Sequence, residues 1–563
     1  MKKSLLLFVL AVVSVSVAHA RADVSLKNGN FYITLRDISY PGGLGMNIER
    51  VYNSKSDYYG MFGYSWGSEY EVRVTQDSDG TLLLTEFGGG ASVRFSPKSG
   101  AKDVSEGIAA IVEGARKAGW IANNRALEEY KTRLESDSAY RAKQYGSLVS
   151  QGYLSRKAIP EGAQFVATQY QYQYLTKAKG GYVRVLENGD IQKFNEAGKL
   201  VQILDTNKNY LNFSYDKNNR LIQIVDNQNR KMNLTYNSLG YVEKVVGESG
   251  KYAQYKYDKE GFLSWSRDDS GVENTFRYSN DPYHNLVELG WVGQKNEKGQ
   301  PKKMLISYYG KEKNTSVKAV INPDGTSNEY EYLSDLKQKD FYSIRVLSKD
   351  SDGARISDSK YDYYYKRRPG GAEYTSRMVT TVDGEVTETE YDDRLGFPVR
   401  VKSGDKVTTM EYDVKGRMTK KKSPYDETDL TYDAKSGKVA KVTRKLKSGT
   451  VRWSEFQYDP VSRNLLQARN SDKKTVKLVY DAQGRIRALM DESNRTLTFK
   501  YNEHSRPVEI SDNKKGSVKF TYKNSGEVDK IDSNGGASVA SDVMRTLQTL
   551  IDITAPAGVS MNL

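Results

Sequence analysis

The sequence of 563 residues contains no cysteine. Disulfides, thiol chemistry and thiolate metal sites are therefore excluded for this chain. Histidine is also scarce, with three residues, and proline is limited to 12. Because imidazole and thiolate are the main ligands of zinc and copper in proteins, we expect neither metal and no cofactor.

Few motifs that carry chemistry are present. His284 and His504 fall in polar hairpin segments, where a solvated loop histidine is a better interpretation than a metal ligand. The stretches 77–80 and 350–353 resemble calcium loops, but glycine is misplaced for an EF-hand, and ordinary β-turns explain both. No Gly-x-Ser-x-Gly elbow occurs, and no histidine is placed to activate a serine. We therefore expect a protein that is not an enzyme.

Long apolar runs are confined to the beginning of the chain. Lys2 and Lys3 precede the apolar run 4–17, and Ala18-His19-Ala20 forms a small-x-small cleavage site. The run is shorter than the roughly 20 residues that a membrane-spanning helix needs. These features predict a cleaved signal peptide and no transmembrane segment in the mature chain. The mature protein is then secreted or held at the cell surface, with the periplasm as the alternative.

Acidic residues are outnumbered by basic ones, and the formal net charge is +14. Such a charge favours encounter with anionic polymers. The lysines and arginines are scattered along the sequence, however, so decoration of strand edges and turns is a better interpretation than a dedicated anion site. We expect weak attraction to anionic polymers and no specific binding of nucleic acid.

Tyrosine is abundant, with 42 residues, and it marks an internal repeat. Five pairs of an aromatic and a polar residue follow one another at a spacing of 21 residues: Phe194-Asn195, Tyr215-Asp216, Tyr236-Asn237, Tyr257-Asp258 and Tyr278-Ser279. A second series has spacings between 20 and 26 residues: Tyr391-Asp392, Tyr412-Asp413, Tyr432-Asp433, Tyr458-Asp459, Tyr480-Asp481, Tyr501-Asn502 and Tyr522-Lys523. A fixed period of this length is typical of a repeat architecture.

Each repeat unit reads as two short strands and two tight turns. In the segment 480–485, the tyrosine ends a strand, the aspartate opens a turn, and the glycine takes the left-handed conformation that closes it. Equal spacing predicts a ladder of rings on one face of a continuous antiparallel sheet. We assign a structural role to the repeat-signature residues Tyr215, Asp216, Tyr236, Asn237, Gly240, Tyr257, Asp258, Gly261, Tyr412, Asp413, Gly416, Arg417, Tyr480, Asp481, Gly484 and Arg485.

The Tyr-Asp-x-x-Gly-Arg units resemble those of the RHS, or YD-repeat, family. That family includes bacterial polymorphic toxins, the shells of insecticidal toxin complexes and the teneurins. The resemblance implies a mainly β fold, in which a tandem antiparallel β-hairpin sheet curls into a shell or cocoon. Motifs such as Pro41-Gly42-Gly43 and Ser65-Trp66 are similar to the β module that precedes many such shells, although Ser65 stands where that module usually has glycine. The stretch 281–390 is poorly phased but still reads as strands.

Two segments depart from the repeat. Residues 103–150 are rich in Ala, Glu, Lys and Arg, and Gly119 separates two apolar stripes, which predicts an inserted helical hairpin. A second apolar stripe, which includes Val543, Leu547 and Leu550, predicts a short C-terminal helix that caps the open end of the sheet. The expected organisation is a signal peptide (1–20), an N-terminal β module (21–102), a helical insertion (103–158), a YD-repeat shell (159–536), and a C-terminal helix with its tail (537–563).

Three functions remain open at this stage. The favoured one is a secreted or cell-surface, non-catalytic protein that serves in binding, adhesion or as a shell scaffold, with envelope polysaccharide or another surface or secreted protein as its partner. The second is an encapsulation or delivery component for a separately encoded toxin or effector, and the third is a hydrolase of envelope polysaccharide. A sealed interior favours encapsulation, whereas an open or filled one favours binding.

One set of aromatic residues is a candidate for ligand stacking. Tyr170, Tyr172 and Tyr174 alternate with glutamines, so that their three rings share one face of a predicted strand. Rings on an accessible face could stack on sugars. A structural place in the sheet is nevertheless the favoured interpretation.

Overall fold

The computed structural model of the protein describes residues 20–86, 90–98, 103–167, 173–310, 316–333, 340–367, 373–503, 505–522 and 528–554. The predicted signal peptide lies outside the described residues except for Ala20. Tyr170, Tyr172 and His504 also lie outside them.

A small antiparallel sheet, in the order β1-β2-β3-β6, opens the chain. Its strands are β1 (Ala20–Ser25), β2 (Asn30–Tyr40), β3 (Met46–Asn53) and β6 (Trp66–Ser68), and a separate two-stranded ribbon is made of β4 (Tyr59–Gly60) and β5 (Gly63–Tyr64). In β3 every second residue is buried, from Met46 to Tyr52. This alternation is the pattern of a strand that turns one face to a core. We call residues 20–68 the N-terminal sheet.

A second sheet of 36 strands makes up most of the molecule. It starts with β7 (Arg73–Gln76), β8 (Leu82–Glu86) and β9 (Ala91–Pro97). The chain then leaves for a helical insertion and returns in β10 (Gln164–Ala167), which pairs with β9. The next strands, with a short 3₁₀ turn at Glu248–Gly250, are β11 (Tyr174–Ala178), β12 (Gly181–Val185), β13 (Ile191–Asn195), β14 (Leu200–Leu204), β15 (Tyr210–Tyr215), β16 (Leu221–Asp226), β17 (Lys231–Tyr236), β18 (Val242–Val246), β19 (Tyr252–Tyr257), β20 (Leu263–Arg267) and β21 (Glu273–Tyr278).

The sheet continues as an antiparallel meander to its last strand. These strands are β22 (Leu286–Lys295), β23 (Pro301–Tyr308), β24 (Val317–Ile321), β25 (Ser327–Tyr332), β26 (Phe341–Lys349), β27 (Arg355–Arg367), β28 (Glu373–Val382), β29 (Glu385–Tyr391), β30 (Pro398–Ser403), β31 (Lys406–Tyr412), β32 (Met418–Lys422), β33 (Asp426–Tyr432), β34 (Val439–Leu446), β35 (Val451–Tyr458), β36 (Leu465–Asn470), β37 (Thr475–Tyr480), β38 (Ile486–Asp491), β39 (Thr496–Tyr501), β40 (Pro507–Asp512), β41 (Gly516–Tyr522) and β42 (Val528–Ser533). The predicted tandem-hairpin fold is confirmed.

The poorly phased stretch 281–390 consists of strands, as expected. Its strands are longer than those of the regular units: β27 has 13 residues, and β22 and β28 have ten each, whereas β37 and β39 have six. The extra residues lengthen each hairpin. The tyrosines of this stretch therefore fall out of the 21-residue spacing without any change in topology.

One face of the long sheet is buried, and we call it the inner face. From β7 to β28 its apolar residues join those of the N-terminal sheet in a single core. From β32 to β42 they form a second core together with the C-terminal helix α4 (Gly536–Thr554). The sheet also curls back on itself, since Arg73 is bridged to Lys199 and the Val74 amide donates to the Gly198 carbonyl.

Helix α4 lies across the inner face of the last hairpins. It contacts β35 to β37 and β40 to β42, and its buried Val543, Leu547 and Leu550 belong to the second core. The predicted C-terminal helix is therefore present and buries its apolar stripe against the last hairpins, as expected, but it lies on their inner face and not at the open end of the sheet. The apolar side chains of these strands point to that face, so an apolar stripe gains more contact there than at an edge.

The insertion contains three helices where the sequence analysis expected two: α1 (Val104–Lys117), α2 (Asn124–Ser136) and α3 (Ser138–Ser150). The break between α2 and α3 lies at Asp137, whose backbone is extended and whose side chain accepts from the Tyr140 amide at 2.9 Å. Aspartate is a strong helix N-cap, so it ends one helix and starts another. In the described part of the chain, no helix has the length and apolar character to cross a membrane.

The helical insertion has its own apolar core and docks on β7 through polar contacts. Arg141 forms an ion pair with Asp77 at 3.0 Å, and the Lys157 ammonium donates to the Ser78 carbonyl at 2.7 Å. Water can replace polar contacts of this kind when the helices are removed.

Deleting residues 103–157 is therefore expected to leave a folded, exported β protein. Circular dichroism should show that the helical signal falls while the β signal and a cooperative thermal transition remain. Aggregation of the shortened chain would contradict this expectation and would place the helices within the core.

Candidate functional site on the inner face of the sheet

The repeat-signature turns share one geometry. In the turn after β37, the Asp481 carboxylate accepts from the Gln483 and Arg485 amides at 2.9 and 3.0 Å, and the Arg485 Nε donates to its second oxygen at 2.7 Å. Gly484 has a φ of +77°, which only glycine adopts readily. The turns that start at Asp216 and Asp413 repeat these contacts with Arg220 and Arg417. The hydrogen bond from the Arg220 backbone amide is the main reason why the pKa of Asp216 is lowered.

Each signature tyrosine closes its unit against the preceding strand. Its hydroxyl donates to the backbone carbonyl of that strand's first residue, at distances between 2.5 and 3.1 Å. The tyrosines that do so are Tyr215, Tyr236, Tyr257, Tyr308, Tyr332, Tyr412, Tyr432, Tyr458, Tyr480, Tyr501 and Tyr522. In these units, except that of Tyr332, a β-bulge lies between the tyrosine and the residue before it, as at Val479/Tyr480.

The arginine of the motif joins one unit to the next. The Arg485 guanidinium lies over the Tyr501 ring at 4.5 Å, Arg417 lies over Tyr432 at 4.3 Å, and Arg220 lies over Tyr236 at 4.7 Å. A cation within about 6 Å of a ring centroid is attracted to it. In these three units a guanidinium group therefore lies over the signature ring of the next unit. The repeat spacing predicted contacts between rings of neighbouring units, but not this contact between the motif arginine and the next ring.

Replacing Tyr480 with phenylalanine keeps the ring and removes the hydrogen bond to the Leu465 carbonyl. We expect the free energy of unfolding to fall by about 1 kcal/mol, the usual net value of such a bond. Chemical denaturation measures this loss. Val479→Ala is the matched control, because this neighbouring side chain is 38% exposed on the outer face and should cost less. Equal losses for the two variants would contradict a role for the hydroxyl.

The half-buried signature phenols also predict a response to alkali. Burial raises the pKa of Tyr480, Tyr501 and Tyr522 to about 12. A phenol in the unfolded chain has a pKa of about 10, so these groups bind protons more tightly in the folded state. Their contribution to stability is complete below pH ~10 and is lost as the pH rises from ~10 to ~12.

Titration followed by tyrosinate absorbance should therefore show that most phenols ionise together with unfolding above pH ~10. The same titration in denaturant, where the phenols should ionise near pH ~10, is the control. Full ionisation near pH ~10 in a chain that stays folded would contradict this expectation.

The N-terminal sheet covers the inner face of the first half of the long sheet. At the centre of the contact Arg50 and Asp37, 0% and 3% exposed, form a two-fold ion pair at 2.5 and 2.9 Å. Two side chains of the long sheet bind this ion pair. The Tyr255 hydroxyl donates to Asp37 at 2.8 Å, and the Ser266 hydroxyl accepts from Arg50 at 3.0 Å. The Arg50 guanidinium is also 5.1 Å from the Trp66 ring. The two sheets are therefore joined by a buried charge pair inside an aromatic cage.

Backbone and side-chain hydrogen bonds extend this contact over several units. The Trp66 indole donates to the Tyr278 hydroxyl at 2.8 Å, and the Tyr52 hydroxyl accepts from the Leu286 amide at 2.8 Å. The Val242 amide donates to the Met61 carbonyl, also at 2.8 Å. Signature positions of the long sheet thus serve as partners for the N-terminal sheet.

Two acidic residues near this contact have raised pKa values. Burial, with a smaller effect of the Glu49 charge, raises the pKa of Glu69 to about 8. Burial raises the pKa of Glu71 to about 7, although the Met61 amide and the Tyr58 hydroxyl donate to its carboxylate. Both groups therefore gain negative charge only near or above neutral pH.

Turns of distant units meet along a line that we call the turn seam (187, 205–209, 226–230, 459–464, 481–485, 502–503 and 505–506). Asn207 and Asn464 exchange side-chain hydrogen bonds at 2.7 and 3.4 Å. The Asn209 amide group donates to the Gln483 carbonyl at 2.9 Å. These partners are separated by 257 and 274 residues in the chain. The seam therefore joins two successive coils of the sheet.

The glycine-rich loop after β2 enters the turn seam. A Cβ atom on Gly43 would lie 2.2 Å from the Asn209 side chain and 2.3 Å from the Gln483 carbonyl, so only glycine fits. The Pro41-Gly42-Gly43 motif thus places the N-terminal sheet against both coils at once.

The remaining sequence-predicted site residues are distributed differently. Tyr174 is described and is 39% exposed, apart from the cores, while Tyr170 and Tyr172 lie outside the described residues. In the calcium-like loop 77–80, Asp77 and Asp79 form ion pairs with Arg94. His284 packs its ring 4.8 Å from Phe262. Across the described ranges, no group of three His, Asp or Glu side chains could hold a metal ion.

Comparisons with known proteins agree with the repeat analysis. Residues 22–95 match a domain of unknown function (DUF6531), residues 187–281 match the teneurin YD-shell, and residues 480–517 match the RHS repeat. No curated protein matches the chain.

Solved structures of toxin complexes share low similarity with the chain. The TcdB2-TccC3-TEV crystal structure is 12% identical over 92% of this chain, with a TM-score of 0.41. The Photorhabdus luminescens Tc holotoxin pore is 12% identical over 89% of it, also with a TM-score of 0.41. The chain spans 29% and 27% of the lengths of these two structures. The confirmed hairpin meander thus contains one segment that is similar to the teneurin YD-shell and another that is similar to the RHS repeat.

Proposed function

We propose that this chain is an exported, non-catalytic shell scaffold that binds another protein at the cell surface or in the medium. The YD-shell and RHS-repeat matches support a shell or scaffold role. The basic start, apolar run and small-x-small site of residues 1–20 support export.

The observation that carries the binding role is that most of the inner face is filled. The N-terminal sheet shares one core with β7 to β28, and α4 shares the other with the last hairpins. Encapsulation of a separate cargo needs free volume at those places. A scaffold that presents its surface to a partner does not, and the filled core gives it rigidity.

Capture of partners by the tagged full chain tests the proposal. After cross-linking in the producing cells, the chain should retain a protein partner from the envelope or the medium. The control is the same chain carrying Asp37→Ala, whose coupling between the two sheets we expect to be weakened. Capture of polysaccharide alone, or cleavage of envelope polysaccharide by the purified chain, would contradict the proposal. A protein released intact from the interior only upon unfolding would instead indicate encapsulation.

A further inference from the structure

The two cores leave part of the inner face without an apolar cover. Between Met378, which packs on the first core, and Met418, which packs on the second, the inner positions are mainly polar. Cross-strand pairing from Met378 leads to Thr389, Val401 and then Thr408. Strands β28 to β32 contain one buried residue, Thr389, in a region of the long sheet that the structure describes completely.

Three basic side chains follow on this same face. Leu430 and Val442, which are opposite each other in β33 and β34, belong to the second core. Residues two positions apart in a strand share a face, so Thr428 and Arg444 point inward as well. Arg444 is directly opposite Arg452 in β35, and Lys421 in β32 is directly opposite Thr428. We call Lys421, Arg444 and Arg452 the basic band.

The basic band carries more charge than its neighbours balance. Arg444 forms an ion pair with Asp426, which also accepts from the Ser423 hydroxyl. Those contacts, together with the Lys421 charge, lower the pKa of Asp426, so one carboxylate is shared within the group. Within the described residues, no ion pair includes Lys421 or Arg452, and both side chains are exposed.

Like charges directly opposite each other in a sheet are destabilising. The Arg444–Arg452 pair is such an arrangement, and the Arg452 side chain is exposed. Carboxylates bind arginine through paired, charge-assisted hydrogen bonds, which would relieve the repulsion.

We infer that the basic band binds an acidic, extended polypeptide segment of a partner protein. Elsewhere the inner face is covered by polypeptide, namely by the N-terminal sheet and by α4. A polypeptide segment is therefore the expected ligand of the uncovered part between these two. The excess charge selects an acidic one. This inference rests on the proposed scaffold function and adds the chemistry of the partner.

Fluorescence anisotropy with the full chain and a labelled oligoglutamate peptide tests the inference. The double variant Lys421→Gln with Arg452→Gln should bind the peptide at least about tenfold more weakly, because it loses two charge-assisted contacts. The variant should fold, since it removes a repulsive pair, and its thermal midpoint should equal or exceed that of the wild type.

The matched control is Lys422→Gln with Lys445→Gln. These residues neighbour Lys421 and Arg444 in the same strands but point to the outer face, and both are opposite Glu427. The control removes the same charge and should keep at least half of the affinity. An equal loss in both variants, or inorganic phosphate or single-stranded DNA that competes as well as unlabelled peptide, would overturn the inference.

A second readout separates this inference from the proposed function. In the cross-linking capture, the basic-band variant should lose the partner that the wild type retains. If the variant keeps the partner, the scaffold function stands and the basic band is not its docking site. If the wild type captures no protein either, the scaffold function itself fails.

Discussion

Replacing Asp37 with alanine is expected to lower the free energy of unfolding by about 3–5 kcal/mol, the cost of breaking one side of a buried ion pair. The substitution leaves the Arg50 guanidinium, which is 0% exposed, without its carboxylate. It also removes the acceptor of the Tyr255 hydroxyl. Because Asp37 and Arg50 lie in the N-terminal sheet and Tyr255 in the long sheet, the loss should also weaken the coupling of the two sheets.

Denaturant unfolding followed by tryptophan fluorescence measures this effect, since Trp66 lies in the same cage. The matched control is Arg36→Gln, which breaks the neighbouring ion pair between Arg36 and Glu49. The two groups are 3.2 Å apart, and their side chains are 33% and 24% exposed, respectively. Such a partly exposed pair should be worth less than about 1 kcal/mol. The double replacement Asp37→Leu with Arg50→Met should recover much of the loss, because it removes both charges together. An Asp37→Ala variant as stable as Arg36→Gln would refute the role of the pair.

Replacing Leu547 with alanine is expected to cost about 2–5 kcal/mol, the usual cost of deleting buried methyl groups from a core. Leu547 is 1% exposed and lies at the centre of the α4 stripe. The second core holds α4 against the last hairpins, so a cavity there should loosen the helix as well as the sheet.

Denaturant unfolding and limited proteolysis together check this expectation. The variant should be cut at the C-terminal end of the chain at lower protease concentrations than the wild type. Thr549→Ala is the matched control, because Thr549 lies on the exposed side of the same helix and should change stability by less than about 0.5 kcal/mol. If both variants behave like the wild type, α4 does not contribute to the core.

Much of the fold follows from sequence pattern. The 21-residue spacing predicts the tandem hairpins because the contacts that define a unit are local. The Asp481 carboxylate reaches the amides two and four residues later, and the Tyr480 hydroxyl reaches a carbonyl 15 residues before it. Contacts of that range repeat whenever the residues repeat.

The helical insertion shows how local detail was missed. Its apolar stripes predicted helices, but Asp137 was not considered as a break, and the third helix was overlooked. The N-cap at Asp137 was readable from the sequence, since an aspartate before a helical pattern is a typical start signal.

The basic residues illustrate what pattern alone does not reveal. Along the chain they are scattered, and a solvated role is the better interpretation there. The structure places Arg444 opposite Arg452 and sets Lys421 on the same face. These positions depend on the strand registers, because a shift of one residue would turn every side chain of a strand to the other face.

By itself, the sequence determined the repeat, its turns and the β class of the protein. Those features rest on hydrogen bonds and side-chain alternation within one or two hairpins. Only the tertiary structure decided that Asn207 meets Asn464, that Gly43 fits between two coils, and that Arg50 is buried against Tyr255. These contacts join residues more than 160 positions apart. They depend on the twist that accumulates over many strands, which no single unit of the repeat encodes.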